Sequence, residues 1–303
     1  MSMNKYTADG IIVKAIGGLY YTETSDGVVL QCTARGIFRK REISPCAGDR
    51  VKLEVAEDNT ALISEIYERR NSIIRPPLAN LDRLAFVIST CEPSPNLLLL
   101  DKFIAIAEYK SIEPMIVITK VDLGTFRELY DIYTACGITC IYVDYSDNIG
   151  RDKLYDQLSG KITAFTGNSG VGKSTLLNHL DSSLGIDTGE ISKKLGRGRH
   201  TTRHVELYKL PCGGYVADTP GFSTLETQKY DIIRKEALAD CFREFADYYG
   251  SCRFQDCSHT KENGCGIIAA VGRGDIAKSR HDSYVQMYEE AKKIHEWEIK
   301  GKP

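Results

Sequence analysis

The chain has no apolar run that approaches the ~20 residues needed to cross a bilayer; stretches such as Ile11–Val13, Leu97–Leu100 and Met115–Ile118 are far shorter. Its first residues, Met1-Ser2-Met3-Asn4-Lys5-Tyr6, lead into polar sequence without the apolar core of a signal peptide, so a cytoplasmic protein with no membrane contact is expected. An excess of one charge is missing as well. With 39 Lys+Arg against 41 Asp+Glu, a net charge of -2 gives no long-range attraction for phosphate, and any nucleic-acid contact must come from local patches. Ten cysteines in 303 residues fall short of disulfide density, which in a reducing compartment leaves them as thiols or metal ligands. Internal repeats and low-complexity segments are absent. What remains, 42% hydrophobic and 26% charged residues, is the composition of an ordinary globular chain long enough for two or three domains.

From Gly10 to about Tyr67, short β-rich runs (Gly10–Ala15, Leu19–Thr22, Val28–Cys32, Arg50–Val55, Leu62–Ile66) alternate with Gly, Asp and Asn. They predict an all-β, OB-like barrel over residues 1–73, although an SH3-like barrel would read nearly the same. Within it, Arg35-Gly36-Ile37-Phe38-Arg39-Lys40-Arg41 sets four cations around an aromatic expected to be exposed, either an RNA-facing loop or a solvated hairpin tip. Pro76-Pro77 reads as a linker. Over residues 74–225 strands alternate with helices: Leu84–Thr90, Met115–Thr119, Thr139–Asp144 and Ile162–Thr166 as strands, with Leu97–Tyr109, Phe126–Cys136, Asp152–Leu158 and Lys173–Leu180 as helices. That grammar predicts a parallel α/β sheet. Over residues 226–303 the strands stop. Leu238, Phe242, Phe245 and Tyr249 fall on one predicted helix face, a Cys/His cluster follows, and a charged helix is expected from about Ile276 to Lys300.

The strongest chemical signal is Gly167-Asn168-Ser169-Gly170-Val171-Gly172-Lys173-Ser174, which fits G-x-x-x-x-G-K-[ST] between a predicted strand and a predicted helix. Backbone N–H groups of such a loop, extended here to Thr175, cradle phosphate; Lys173 neutralises the β/γ oxygens and Ser174 offers a hydroxyl to Mg²⁺. The alternative is a glycine-rich turn that binds nothing. Thr119-Lys120-Val121-Asp122 looks like the guanine motif N/T-K-x-D: an aspartate at a strand end accepts from guanine N1–H and N2–H₂, a donor pair adenine lacks. Asp218-Thr219-Pro220-Gly221 looks like D-x-x-G, with Asp218 reaching Mg²⁺ through water and the Gly221 N–H sensing the γ-phosphate. Between them, Thr201 or Thr202 is the candidate switch ligand of Mg²⁺. The order is unusual. Base motif, P-loop, switch and D-x-x-G follow as four, one, two, three, which is a circular permutation. Phe222 stands where Ras-like enzymes carry a water-orienting glutamine, so His200 is the candidate catalytic substitute, a lone surface histidine being the other reading. Ile191–Val205 holds Lys193, Lys194, Arg197, Arg199 and Arg203 without an acid and could lie along phosphate or stay solvated.

Cys252-x4-Cys257-x-His259-x5-Cys265 supplies three thiolates and one imidazole, a complete tetrahedral set for one structural Zn²⁺ closed to substrate. Free thiols that happen to cluster are the alternative.

With these residues in hand the chain resembles the RsgA (YjeQ/YloQ) family of circularly permuted GTPases over nearly its whole length: barrel, Thr-Lys-x-Asp before Gly-Asn-Ser-Gly-Val-Gly-Lys-Ser, Gly-Arg-His-Thr-Thr, Asp-Thr-Pro-Gly-Phe and the Cys/His knuckle. The resemblance implies GTP binding with Mg²⁺, weak hydrolysis to GDP and phosphate stimulated by the 30S ribosomal subunit, and contacts to 16S rRNA through the barrel and zinc domains. It also implies a role in late small-subunit assembly, and it favours Thr202 over Thr201. A monomer is expected. Asp144-Tyr145-Ser146 stands where the family often shows small hydroxyl residues near the base, and no base contact is assigned there. Two other readings stay open: a nucleotide-gated RNA-binding scaffold with negligible hydrolysis, and a P-loop ATPase or kinase in which Asp122 has no role.

Overall fold

A computed structural model of the chain describes residues 6–40, 43–58, 60–74, 76–146, 148–185, 205–219 and 232–294. Strand formation in the N-terminal part follows the two-residue period. Strand β4, for example, buries Val51, Leu53 and Val55 and turns Arg50, Lys52 and Glu54 outward. Strands β1 (Tyr6–Ile16), β2 (Leu19–Thr24), β3 (Val29–Ala34), β4 (Arg50–Val55) and β5 (Ala61–Ile66) close into a barrel in the order β1-β2-β3-β5-β4. All pairs are antiparallel except β3 with β5, and β1 returns to β4. Register shifts between Ile12 and Lys14 and between Lys52 and Leu53 bend the strands for closure. Ile12, Val51, Leu53 and Ile63 form the fully buried centre of its core.

One expectation is corrected here. Gly36–Lys40 is a short helix, α1, and the ring of Phe38, expected exposed, is only 7% exposed among the barrel's core residues. Burying an aromatic ring outweighs the pull of its charged neighbours toward water, and Ile37 is the apolar side chain left outside.

By its contacts the chain divides into two compact units, residues 1–83, 151–166 and 173–222 in one, and 84–150, 167–172 and 223–303 in the other. In the first, β6 (Ser72–Ile73) pairs with β7 (Leu78–Ala79) around Pro76-Pro77. Asp82 exchanges two bonds with Ile162, its N–H donating to the Ile162 carbonyl at 2.9 Å and its Oδ2 accepting from the Ile162 N–H at 2.8 Å. Ile162 opens β11 (Ile162–Thr166), which runs parallel to β13 (Tyr215–Asp218), itself antiparallel to β12 (Leu207–Lys209). Lys14 meets Glu206 at 2.6 Å and Lys209 pairs with Glu23, tying barrel to sheet.

In the second unit β8 (Arg83–Ser89), β9 (Glu113–Thr119) and β10 (Thr139–Tyr142) are ordered β10-β9-β8, with Thr139 opposite Met115 in a parallel register. Their near-continuous apolar runs, Leu84–Val87 and Met115–Ile118, are buried, as a parallel sheet covered on both faces requires. Helices α2 (Leu97–Tyr109) and α3 (Arg127–Ala135) alternate with these strands, while α4 (Ile149–Leu158, all but its first two residues) and α5 (Lys173–Leu180) belong to the first unit.

The C-terminal region is helical but not as expected. Leu238, Phe242 and Phe245 are buried, yet they lie on a short helix, α6 (Lys235–Leu238), and two 3₁₀ turns, Ala239–Cys241 and Arg243–Tyr248. The backbone is extended at Phe242 (φ -119°, ψ 93°), which breaks the single face and leaves Tyr249 46% exposed. Helix α7 (Gly266–Arg273) follows the Cys/His cluster, and α8 (Lys278–Ala291) is shorter than the charged helix expected. Ion pairs from Arg243, Arg280 and Glu290 fasten this region to α2 and β9. Arg280 meets Asp101 at 2.6 Å, Glu290 meets Lys102 at 2.6 Å, and Arg243 pairs with Glu108 and, at 2.8 Å, with Glu113. Among the described residues no helix is long and apolar enough to cross a membrane.

Candidate nucleotide and metal sites

Strand β11 feeds the loop 167–172 and α5 leaves it, the strand–loop–helix setting a P-loop needs. Glycine is demanded at several of its positions. A methyl group on Gly167 would stand 2.4 Å from the Val87 carbonyl oxygen, and Gly170 and Gly172 have φ of 85° and 88°, where other residues are strained.

In the same unit as this loop, the end of β9 carries the guanine motif. Thr119 is fully buried; its hydroxyl donates to the Val171 carbonyl at 2.5 Å and lies 3.1 Å from that of Ile88. A residue expected to face the base therefore ties the base-reading turn to the phosphate-holding loop. Asp122 is exposed on the turn that follows, as a carboxylate waiting for guanine must be. A second clasp, which no spacing rule foretold, comes from the β8–α2 loop. The Thr90 hydroxyl donates to the Lys120 carbonyl at 2.5 Å, the Lys120 ammonium donates to the Glu92 carbonyl at 2.5 Å, and Asn96 caps α2 through the Leu99 N–H at 3.0 Å.

In the other unit, the Lys173 ammonium sits 2.6 Å from Asp218 Oδ1 and donates to the Thr219 carbonyl at 2.7 Å. The P-loop cation and the D-x-x-G carboxylate thus hold each other, with Ser174 half-buried beside Lys173 in the chain. Ser174 and Asp218 offer the hard oxygen donors that Mg²⁺ takes. His200, Thr202, Gly221, Phe222 and most of the basic segment lie outside the described residues.

The ligand atoms of Cys252, Cys257, His259 and Cys265 lie within 4.8 Å of one another. His259 Nδ1 is 3.5 Å from both Cys252 Sγ and Cys265 Sγ. Cys265 is the N-cap of α7, and the N–H groups of Gly266 and Ile268 point at Cys252 Sγ and Cys265 Sγ, at 3.3 and 3.5 Å. Such donors stabilise sulfur as thiolate. Burial, with the two neighbouring thiols, pushes Cys257 up to about 12, and burial lowers His259, keeping it in the neutral form that ligates. Three soft sulfur donors and one imidazole at this spacing fit Zn²⁺. The shell behind them escaped sequence reading because its members come from elsewhere: a His281 ring nitrogen lies 2.8 Å from the His259 carbonyl, and the Tyr284 hydroxyl donates to the Ser258 carbonyl at 2.8 Å. Burial alone would raise Glu262, but bonds from the Ser258 hydroxyl and from the N–H groups of Lys261, Glu262 and Ser258 bring it down to about 2.

A barrel followed by an α/β domain whose base motif precedes its P-loop, and then a helical Cys/His region, defines a circularly permuted P-loop GTPase. Residues 66–228 match the RsgA GTPase family and residues 9–63 its N-terminal domain. The chain belongs to the RsgA GTPase family. It is 42% identical over 300 residues to the small ribosomal subunit biogenesis GTPase RsgA of Ruminiclostridium cellulolyticum, covering 97% of this chain and 96% of that one. It is 44% identical over 281 residues to the protein of the same description from Streptococcus pneumoniae, covering 93% and 94%. Among solved structures it is similar to YjeQ from Thermotoga maritima, with a TM-score of 0.82 at 33% identity over 96% of this chain and 100% of that one. It is also similar to YloQ, described as a circularly permuted GTPase, with a TM-score of 0.79 at 34% identity over 95% and 96%.

Proposed function

We propose that this chain is a GTPase of small ribosomal subunit biogenesis that binds the 30S subunit through 16S rRNA and hydrolyses GTP to GDP and phosphate in late assembly. Membership of the RsgA GTPase family carries the reading, and the exposed Asp122 carboxylate on the turn after β9, able to accept from guanine N1–H and N2–H₂, supports guanine as the base. Residues Gly167–Thr175 hold the phosphates through their N–H groups, with Asp122 and Lys120 at the base. Lys173 transfers its ammonium from Asp218 to the β/γ oxygens, where it offsets the charge of the transferring phosphoryl group. Mg²⁺, when bound, neutralises the same oxygens, with Ser174, Asp218 through water, and Thr202 as its protein partners. His200 orients the attacking water once rRNA orders the switch, since the phenyl ring of Phe222 cannot. Zinc at Cys252, Cys257, His259 and Cys265 is structural, and the protein acts as a monomer in the cytoplasm.

Arg280, Lys102 and Arg243 anchor the zinc-bearing segment in the unit that holds the guanine motif, so any reorientation of that segment on γ-phosphate loss carries α2 with it or breaks a buried ion pair. Steady-state hydrolysis of GTP and ATP with and without 30S subunits tests the function. Stimulation of GTP turnover alone is expected; GTP binding without stimulation would favour a passive RNA-binding scaffold. Asp122→Asn should move preference from guanine toward xanthine, and an unchanged preference would remove Asp122 from the base site.

A further inference from the structure

The turn that carries Asp122 is held by little packing. Asp122 is exposed on it and Leu123 is 66% exposed. Lys120, where the turn begins, has a φ of 55°, in the left-handed region that a residue with a Cβ enters at a cost. Neither burial nor backbone preference fixes this segment, so its hydrogen bonds decide where the carboxylate stands.

Those bonds converge on Thr90, half-buried directly after β8 and in the same unit. Its N–H donates to the Thr119 carbonyl at 3.2 Å and its hydroxyl donates to the Lys120 carbonyl at 2.5 Å, so one residue grips two successive peptide groups at the entry of the turn. The Lys120 carbonyl also accepts the Leu123 N–H at 3.0 Å, which closes the turn with Val121 and Asp122 at its two central positions. Its exit rests on the same side chain. A methyl group on Gly124 would stand 3.0 Å from Thr90 Oγ1 and 3.1 Å from Thr90 Cβ, so the chain leaves the turn pressed against Thr90.

We infer that Thr90 is a positioning residue for guanine recognition, whose hydroxyl acts through the Lys120 carbonyl to set the Asp122 carboxylate where it can accept from N1–H and the N2 amino group together. The inference rests on the reading of Thr119–Asp122 as the guanine motif. Two bonds to one base edge demand a closer orientation than one. Hypoxanthine offers N1–H and lacks the amino group, so it tolerates a carboxylate that guanine does not. Thr90 therefore sets the preference among bases and leaves the phosphate grip of Gly167–Thr175 and the chemical step alone.

The test is calorimetric binding of GDP and of inosine diphosphate to the full-length, zinc-loaded protein and to two variants. Thr90→Val keeps the shape and the N–H and removes the hydroxyl, while Thr90→Ser keeps the hydroxyl. Thr90→Val should weaken GDP roughly 10-fold, the lower end for one hydrogen bond to a charged group, and inosine diphosphate by less than about threefold. Thr90→Ser should retain the GDP preference within about twofold, and in Thr90→Val the KM for GTP should rise with kcat within about twofold. Equal weakening of the two nucleotides by Thr90→Val, or none, would overturn the inference, as would the same loss of preference in Thr90→Ser. A parent protein that binds GDP no better than inosine diphosphate would instead overturn the reading of Asp122 on which the inference stands.

Discussion

Replacing Arg280 by Met keeps most of the buried stem and deletes the guanidinium. Arg280 is 1% exposed; Nη1 meets Asp101 Oδ1 at 2.6 Å, Nε meets Glu244 Oε1 at 2.7 Å, and the guanidinium lies 4.5 Å above the centre of the Phe242 ring. Asp101 is 0% exposed, and the same oxygen also accepts the Tyr133 hydroxyl at 2.8 Å. The variant would bury two carboxylates with no counter-charge, which costs about 3–5 kcal/mol where one partner of a buried pair is removed. The chain has more than one unit, so a single unfolding midpoint would mix their transitions. Hydrogen exchange isolates the effect. At about 1.4 kcal/mol per decade, protection of α2 and α8 amides should fall by roughly two to three and a half decades, while peptides from β1–β5 keep theirs. Adding Asp101→Asn should restore roughly 1–3 kcal/mol. Unchanged α8 protection in Arg280→Met, or an equal loss in the barrel, would refute the claim that this network holds the C-terminal region to α2.

Metal analysis should find one zinc per chain, and Cys257→Ser should lose it together with exchange protection at the start of α7; full retention of zinc would remove Cys257 from the set. The buried thiols predict an alkaline effect. Burial pushes Cys46, Cys136 and Cys241 up to about 12 from an ordinary 9.0, so they stay protonated in the folded chain while the unfolded chain ionises them. Their contribution is fully present below about pH 9 and is lost as pH rises toward 12, because the unfolded state then binds fewer protons. The urea transition of the second unit, which holds Cys136 and Cys241 and is followed by a probe placed on α2, should therefore move to lower urea between pH 8 and pH 10, and less so in Cys241→Ala; an unmoved or rising transition would count against it.

Local pattern carried much of the architecture. The two-residue period of Arg50–Val55 and the buried runs Leu84–Val87 and Met115–Ile118 were legible because backbone geometry imposes them within a few residues. The P-loop and the Cys/His set were legible because their chemistry needs fixed residue types at fixed spacing. Phe38 was misjudged because its neighbours in sequence are basic while its neighbours in space are the apolar lining of a barrel. The apolar spacing of Leu238, Phe242 and Phe245 was real, but one extended residue turned a single helix into separate turns that still bury the same side chains. The Thr90 and Glu92 contacts, and the Asp101–Arg280 pair 179 residues apart, left no trace in spacing.

The ties between α2 and the C-terminal region also impose a timetable on synthesis. Every strand pairing of the barrel lies within the first 66 residues, so that domain can close early. Lys102 and Glu290 are separated by 188 residues, an interval of roughly 10–40 s at about 5–20 residues per second. Glu108 waits 135 residues for Arg243, Asp101 waits 179 for Arg280 and Lys102 waits 188 for Glu290, so α2 stands for most of that interval with its charged groups short of their ionic partners. A nascent chain stalled before Arg280 would present a finished barrel and an unsealed second unit, with the P-loop already synthesised. Newly made protein therefore passes through a window in which its barrel is finished before the helix that seals its second unit has emerged.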